Sequence, residues 1–297
     1  DYIGFKRSVY EKFIILAITG GIPWYILQID KGKSALENIA TLCFTQNGLF
    51  VDEYQKIFHD LFASQTKICQ KIVELLSKGP AEYTAIAEKL QYAKSGVFSQ
   101  YLNDLVLSGF VSRDYSWHFK NGKNSTISLY RLSDNFVRFY LKYVLNKVDN
   151  IKRGQFDDIK QLTLPSWQSI MGLQFENLIL NNRALIKKQL GILPEDVVSD
   201  NPYFQRQTKA KAGCQIDYLI QTRFNVLYIC EVKFSRHPVE SCVIKTMQAK
   251  IAHLAKPKHF SCCPVLIHVN GVSEVLEETE YFTHILNFSN LLNGDSV

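Results

Sequence analysis

Two apolar runs in this sequence each carry an acid. Cys214-Gln-Ile-Asp-Tyr-Leu-Ile220 holds Asp217, and Leu227-Tyr-Ile-Cys-Glu-Val-Lys-Phe234 holds Glu231 and Lys233. Both runs are rich in β-branched, aromatic and aliphatic residues and read as strands. The polar stretch between them, Gln221-Thr-Arg-Phe-Asn225, has the length of a hairpin connection. A turn centred on Phe224 sets Asp217 opposite Glu231, with Cβ atoms roughly 5 Å apart. Two carboxylates so placed in apolar strands repel each other and are costly to bury. A cation must offset them. Lys233 is one candidate, because residues i and i+2 share a strand face. A divalent metal is the other, because magnesium takes hard oxygen ligands. An Asp, a Glu-x-Lys and a metal together point to hydrolysis of a phosphodiester. The plain alternatives are a strand-end ion pair between Glu231 and Lys233, and a turn-proximal surface role for Asp217. Charged residues inside apolar strands are, however, usually paired or functional.

The elements that must hold these residues follow from periodicity. Residues 170–190 read as a helix, 203–208, 215–220 and 227–234 as strands, 239–254 as a helix and 264–269 as a strand. The tail 282–292 adds a short strand and a helical turn. In this order, Ile216-Asp217 followed by Glu231-Val232-Lys233 resembles the signature of PD-(D/E)XK nucleases, with the Pro-Asp half reduced to Ile-Asp. The resemblance implies an α/β core running αβββαβ. It also implies a carboxylate on the first helix, matched by Glu176 in Gly172-Leu-Gln-Phe-Glu-Asn177, and a Gln on the second, matched by Gln248 in Thr246-Met-Gln-Ala-Lys250. In such a site Asp217 and Glu231 hold one or two Mg2+ (or Mn2+) ions, with Glu176 completing the shell. Lys233 orients water or stabilises the charge building on phosphorus. Gln248 steadies the nucleophile or a phosphate. Taken singly, Glu176 reads as a solvated helix residue and Gln248 as a side chain touching only water. Arg206, Lys209 and Lys211, on or just after the preceding strand, are candidate contacts to the flanking backbone of DNA.

Composition permits this reading without requiring it. A chain of 297 residues can hold two or three domains. Its 46% hydrophobic and 21% charged content is that of a globular protein, and its formal charge of +6 is compatible with nucleic acid. Small cationic clusters lie at Lys187-Lys188, Lys209/Lys211 and Lys256/Lys258. No apolar run approaches ~18 residues, so no membrane partner is expected, and no signal-peptide pattern is present. The seven cysteines form no C-x-x-C pair and read as reduced core thiols of a cytoplasmic protein.

Ahead of the α/β unit the sequence reads as two further segments, giving an α+β multidomain chain. Residues 1–62 form short helices interrupted by Gly20-Gly-Ile-Pro23. Their Phe13, Ile14, Trp24, Tyr25, Phe44 and Phe50 exceed what so short a piece can bury alone. They should therefore pack on the next segment or on a further domain. Residues 63–148 read as a winged helix. Helices at 65–76, 83–90 and 96–107 precede a hairpin, 110–117 and 126–132, whose turn is Asn121-Gly122. Ser95 and Asp134 stand at helix N-caps and Gly109 at a helix end. Residues 149–297 form the nuclease-like unit, entered by a charged connector at 151–164.

A winged helix suggests DNA, but its third helix shows Phe98, Ser99, Gln100, Asn103 and Asp104, with Lys94 as its nearby cation. Major-groove readers bring more Arg and Lys. Lys120 and Lys123 on the wing are candidate backbone contacts. A purely structural or protein-contacting winged helix is the stronger reading.

The order of segments carries a second resemblance. Gly20-Gly-Ile-Pro-Trp-Tyr25, Asn38-Ile39, a winged helix, Leu132-Ser-Asp-Asn-Phe136 and a terminal E-x-K unit resemble the C-terminal half of bacterial and archaeal AAA-type ATPases. That resemblance implies a helical lid in 1–62 and an ATPase core outside this chain. No phosphate-binding G-x-x-x-x-G-K-[ST] loop is present, so no ATP hydrolysis is expected from this chain alone. The leading expectation is a metal-dependent endodeoxyribonuclease. The alternatives are a catalytically inactive regulatory or interaction module of an ATPase and a winged-helix regulator.

Overall fold

The computed structural model describes residues 4–156, 163–209 and 211–292. Part of the connector expected at 151–164 lies outside them. The fold is mixed α+β and divides into two compact units, Asp1–Arg113 with Leu129–Ile170, and Asp114–Ser128 with Met171–Val297. These bounds run through the hairpin rather than along the segment edges at 62/63 and 148/149.

The first unit begins with α1 (Val9–Thr19), α2 (Pro23–Leu27), α3 (Ala35–Phe44) and α4 (Glu53–Phe62). Ser34 and Glu37 form a reciprocal cap at the start of α3, with the Glu37 N–H donating to Ser34 Oγ and the Ser34 N–H to Glu37 Oε2. Asn38 is buried and ties the preceding loop down. Its Oδ1 accepts from the Asp30 N–H at 2.7 Å, and its Nδ2 donates to the carbonyls of Asp30 and Ser34. Gly20 and Gly21 take positive φ (63° and 76°), which lets the chain leave α1 and enter α2 at Pro23.

Next come α5 (Thr66–Leu76), α6 (Tyr83–Lys89) and α7 (Gly96–Leu107), then the hairpin β1 (Val111–Trp117) and β2 (Asn124–Leu132), then α8 (Asn135–Tyr143) and α9 (Val148–Lys152). Ser95 Oγ accepts from the Phe98 N–H and Asp134 Oδ1 from the Val137 N–H, fixing the starts of α7 and α8. Five of the six apolar residues singled out in the first segment are buried; Trp24 is half exposed. Their cover comes from α8. Tyr25 and Phe50 stack around Phe136, with ring centroids 5.0 and 5.7 Å away, and Tyr54 stacks on Tyr140 at 4.9 Å.

The second unit is built on a five-stranded sheet in the order β3-β4-β5-β6-β7, from β3 (Val197–Gln205), β4 (Cys214–Thr222), β5 (Val226–Lys233), β6 (Ser261–His268) and β7 (His284–Asn287). The first three strands are antiparallel and the last three parallel. The helices are α10 (Trp167–Asn181) and α11 (Arg183–Gln189) before β3, α12 (Cys242–His253) between β5 and β6, then α13 (Glu274–Glu278) and α14 (Phe288–Leu292). The helix expected at 170–190 is thus broken at Asn182. The strand expected at 203–208 instead begins at Val197. Its polar Ser199-Asp200-Asn201-Pro202 start is tolerated because the register slips between Asn201 and Tyr203, where Pro202 has no ladder bond to lose. Lys187 of the expected cationic cluster is paired with Asp200, 3.1 Å away.

The central strands are apolar because helices or other chain segments cover both faces. Ile216, Leu219, Leu227, Ile229 and Leu266 are fully buried, and Val243 and Met247 of α12 pack into the same cluster. The hairpin tip belongs to this unit. Ser116 Oγ donates to the Phe204 carbonyl at 2.7 Å and accepts from the Phe204 N–H, which occupies edge groups of β3. Trp117 Nε1 donates to Gln221 Oε1 at 2.6 Å, and Gln221 Nε2 donates to the Phe119 carbonyl at 2.8 Å. Gly122 closes the turn at φ 67°, so close to Val198 that a Cβ there would sit 2.5 Å from Val198 Cγ1.

Candidate active site

The register of β4 and β5 pairs Tyr218 with Cys230 and Ile220 with Tyr228. One step further along the same register brings Asp217 opposite Glu231, the arrangement that a turn centred on Phe224 produces. Both acids turn inward. The Glu231 side chain is 2% exposed and that of Asp217 13%. Asp217 is fixed from the neighbouring strand, because its Oδ2 accepts from the Val232 N–H at 3.0 Å. Its other oxygen, Oδ1, accepts from Lys250 Nζ at 2.9 Å, and the same ammonium lies 2.6 Å from Glu231 Oε2. Lys233 Nζ lies 2.7 Å from Glu231 Oε1. The result is a closed quartet of two acids and two lysines, with Lys233 on its solvent side.

Lys250 is the member that sequence reasoning missed. A signal for it exists. Val243, Met247, Lys250 and Leu254 stand at i, i+4, i+7 and i+11 on α12, and the three apolar members of that stripe are buried. A lysine in the buried stripe of a helix needs an acid partner, and the acids in the facing strands provide it.

The charges act on one another. Burial raises the Asp217 carboxyl above the usual range and the Glu231 charge raises it further, while Lys250 and the Val232 N–H pull the other way. Burial alone lowers the Lys250 ammonium. The charges and hydrogen bonds of Asp217 and Glu231 outweigh it, and the net direction is up. His268 of β6, beside Lys233 in the parallel register, was also passed over. It is buried, its Nδ1 accepts from the Gly271 N–H at 3.0 Å, and burial lowers it to about 4, so it is neutral at pH 7.

The remaining candidates lie as follows. Glu176 is half-buried on α10. Among the described residues no group of three or more His, Cys, Asp or Glu side chains that could hold a metal ion is found. Gln248 is exposed on α12, two positions from Lys250 and so on another helix face. Arg206, Lys209 and Lys211 are exposed at the end of β3 and beyond. Lys120 and Lys123 are exposed at the hairpin tip, and Lys94 pairs with Glu88 at 2.9 Å in the first unit.

The donor set fits a hard divalent cation in kind. Two carboxylate oxygens already converge on a single positive charge, the Lys250 ammonium, which stands where such an ion would be held. Lys250 would have to withdraw for Asp217 and Glu231 to take a metal.

No protein-family profile matches this chain, and no curated protein does. Among the solved structures that show weak likeness are two. One is a repair endonuclease from Pyrococcus abyssi, 11% identical, covering 43% of this chain and 49% of the other with a TM-score of 0.26. The second is protein VC1899 from Vibrio cholerae, 10% identical, covering 83% of this chain and 55% of the other with a TM-score of 0.32. The chain spans about half the length of each. At these scores neither likeness bears on function. Among the described residues no helix is long and apolar enough to cross a membrane.

Proposed function

We propose that the second unit is a PD-(D/E)XK-type hydrolase of phosphodiesters that acts on DNA with Mg2+ or Mn2+ held by Asp217 and Glu231. One observation carries this reading: two carboxylates on neighbouring strands converge on a single cation, with the E-x-K lysine on the outer oxygen of one of them. A divalent ion so held lowers the pKa of a coordinated water and screens phosphate charge. The Val232 N–H keeps Asp217 aimed at the cation position. Lys233 is 41% exposed, so its ammonium can meet a phosphate while it orients Glu231. The order α5, α6, α7 and hairpin supports a winged helix over residues 63–148, serving as a protein or DNA contact in an AAA ATPase-derived protein. The free thiols fit a cytoplasmic protein.

A second reading is favoured by Lys250. A closed, electrically balanced quartet is also what an inactive, interaction-only module keeps when it has filled its metal position with a side chain. Calorimetric titration with Mn2+, followed by incubation with plasmid and single-stranded DNA in Mg2+ or EDTA, separates the two. Hydrolysis requires saturable metal binding and Mg2+-dependent cleavage, and Lys233→Ala abolishes that cleavage in a protein whose melt shows that it still folds. Absence of both metal binding and cleavage establishes the interaction module instead.

A further inference from the structure

The Lys250 ammonium grips the two acids unequally. It donates a hydrogen bond to Asp217 Oδ1 at 2.9 Å. Glu231 Oε2 lies nearer, at 2.6 Å, yet this buried oxygen has no hydrogen-bond partner of good geometry among the described residues. The other oxygens of the pair are served elsewhere, Asp217 Oδ2 by the Val232 N–H and Glu231 Oε1 by Lys233. One oxygen of each acid is therefore left to Lys250, and one of those two is held by charge without a directed donor. A buried oxygen left in that state is costly. A hard divalent cation, which binds oxygen without the angular demand of an N–H bond, answers it better than an ammonium already aimed at Asp217.

The charges show what such an exchange requires. Two carboxylates face two ammonium groups, and the quartet is balanced. Adding a divalent ion to it leaves two positive charges without a partner. With Lys250 turned outward, the acids, Lys233 and the ion sum to one positive charge. A phosphodiester carries one negative charge, so the balance returns when the ion and the phosphodiester are both present. Lys250 is able to turn outward. Its side chain is 18% exposed rather than sealed, and its unbranched stem carries a compact ammonium that water hydrates strongly.

We infer that Lys250 couples metal binding to substrate binding: it bridges Asp217 and Glu231 in the resting protein, and yields that place to a divalent ion as a phosphodiester arrives. The coupling rests on the hydrolase reading above, which supplies the phosphodiester. It is reciprocal, so the ion tightens phosphodiester binding by the same factor.

The test uses the full chain and reads free Mn2+ from its solution EPR signal, calibrated without protein, in about 100 mM dimethyl phosphate or about 100 mM NaCl. Dimethyl phosphate is a phosphodiester monoanion that stays intact through the measurement, and equal ionic strength keeps screening the same. The parent should bind Mn2+ at least about fivefold more tightly in dimethyl phosphate, the lower end of ordinary coupling between sites. Lys250→Met should bind Mn2+ at least about tenfold more tightly than the parent in NaCl, because the competing ammonium no longer reduces the fraction of competent sites. Its gain from dimethyl phosphate should fall to about twofold or less. Lys245→Met removes the same charge at an exposed position on α12 and should stay within about threefold of the parent in both salts. Melting curves establish that each variant folds, and if Lys250→Met does not, the parent's response to dimethyl phosphate decides. Equal Mn2+ affinity of the parent in the two salts overturns the coupling, as does a Lys250→Met protein with the parent's affinity and the parent's gain. In both cases Mn2+ still binds and the hydrolase reading stands. Absence of Mn2+ binding by the parent and by Lys250→Met in either salt overturns the hydrolase reading and the coupling with it.

Discussion

Replacing Lys250 by Met isolates what its charge does. Met keeps the unbranched stem, so packing against Met247 and its neighbours is largely preserved, and only the ammonium is lost. In the parent that ammonium lies 2.9 Å from Asp217 and 2.6 Å from Glu231, whose side chains are 13% and 2% exposed. Removing one partner of a buried ion pair costs about 3–5 kcal/mol because the other charge is left uncompensated. Here two acids remain, with Lys233 alone to answer them. At about 2–4 °C per kcal/mol for a unit of this size, the melt should fall by about 6–20 °C at pH 7. The pH dependence supplies the sign. Asp217 is already raised, so the folded protein keeps a proton there at pH values where the unfolded chain has released it. Stability therefore declines as pH rises from the unfolded value to the folded one. Without Lys250 that window extends to higher pH, and the gap between parent and variant should close as pH falls from 8 to 5. Urea denaturation followed by the emission of buried Trp117 measures both quantities. Mn2+ at 100 times its dissociation constant should return about 2.7 kcal/mol to the variant if Asp217 and Glu231 take metal. A variant within about 1 kcal/mol of the parent at pH 7, or a gap that does not change with pH, would refute the bridging role of Lys250.

Gln221→Leu leaves the Trp117 N–H and the Phe119 carbonyl bare, at about 1–3 kcal/mol for each group. The loss should appear as lower urea resistance of the second unit together with a shift in Trp117 emission, and unchanged emission would argue against the Trp117 bond. Thiol reagents under native conditions should modify exposed Cys242 first. Cys43, Cys69, Cys214 and Cys230 are buried, and burial raises their thiols, so they should react only as the protein unfolds. Mass spectrometry of the modified peptides reads the order, and early labelling of Cys230 would contradict the buried β5.

The strands and their register were legible because they rest on local patterns. Apolar runs bounded by a polar five-residue break dictate a hairpin, and the period of two then sets Asp217 across from Glu231. The caps at Ser95 and Asp134 were readable for the same reason. What stayed hidden depends on distance along the chain. The hairpin looked like part of the helical segment before it, yet its tip is bound into the sheet through Trp117 and Gln221, 104 residues apart, and no local pattern announces that pairing. Lys250 was overlooked because a motif search looks for expected residue types, whereas the stripe it interrupts asks a charge question. The early start of β3 was hidden by Pro202, whose penalty disappears only where the ladder slips.

The threading of the hairpin tip into the second unit means that this unit cannot be obtained by a single cut. A chain begun at residue 149 retains the whole sheet but lacks Trp117, Phe119 and Ser116. Gln221, 3% exposed in the whole protein, then loses both of its partners, and the edge of β3 stands open to pair with another molecule. Such a piece should be prone to association, whereas a circularly permuted chain that keeps residues 114–128 beside the sheet should not. In the intact protein the tip can dock only after the sheet exists to receive it, which places a long loop closure late in folding.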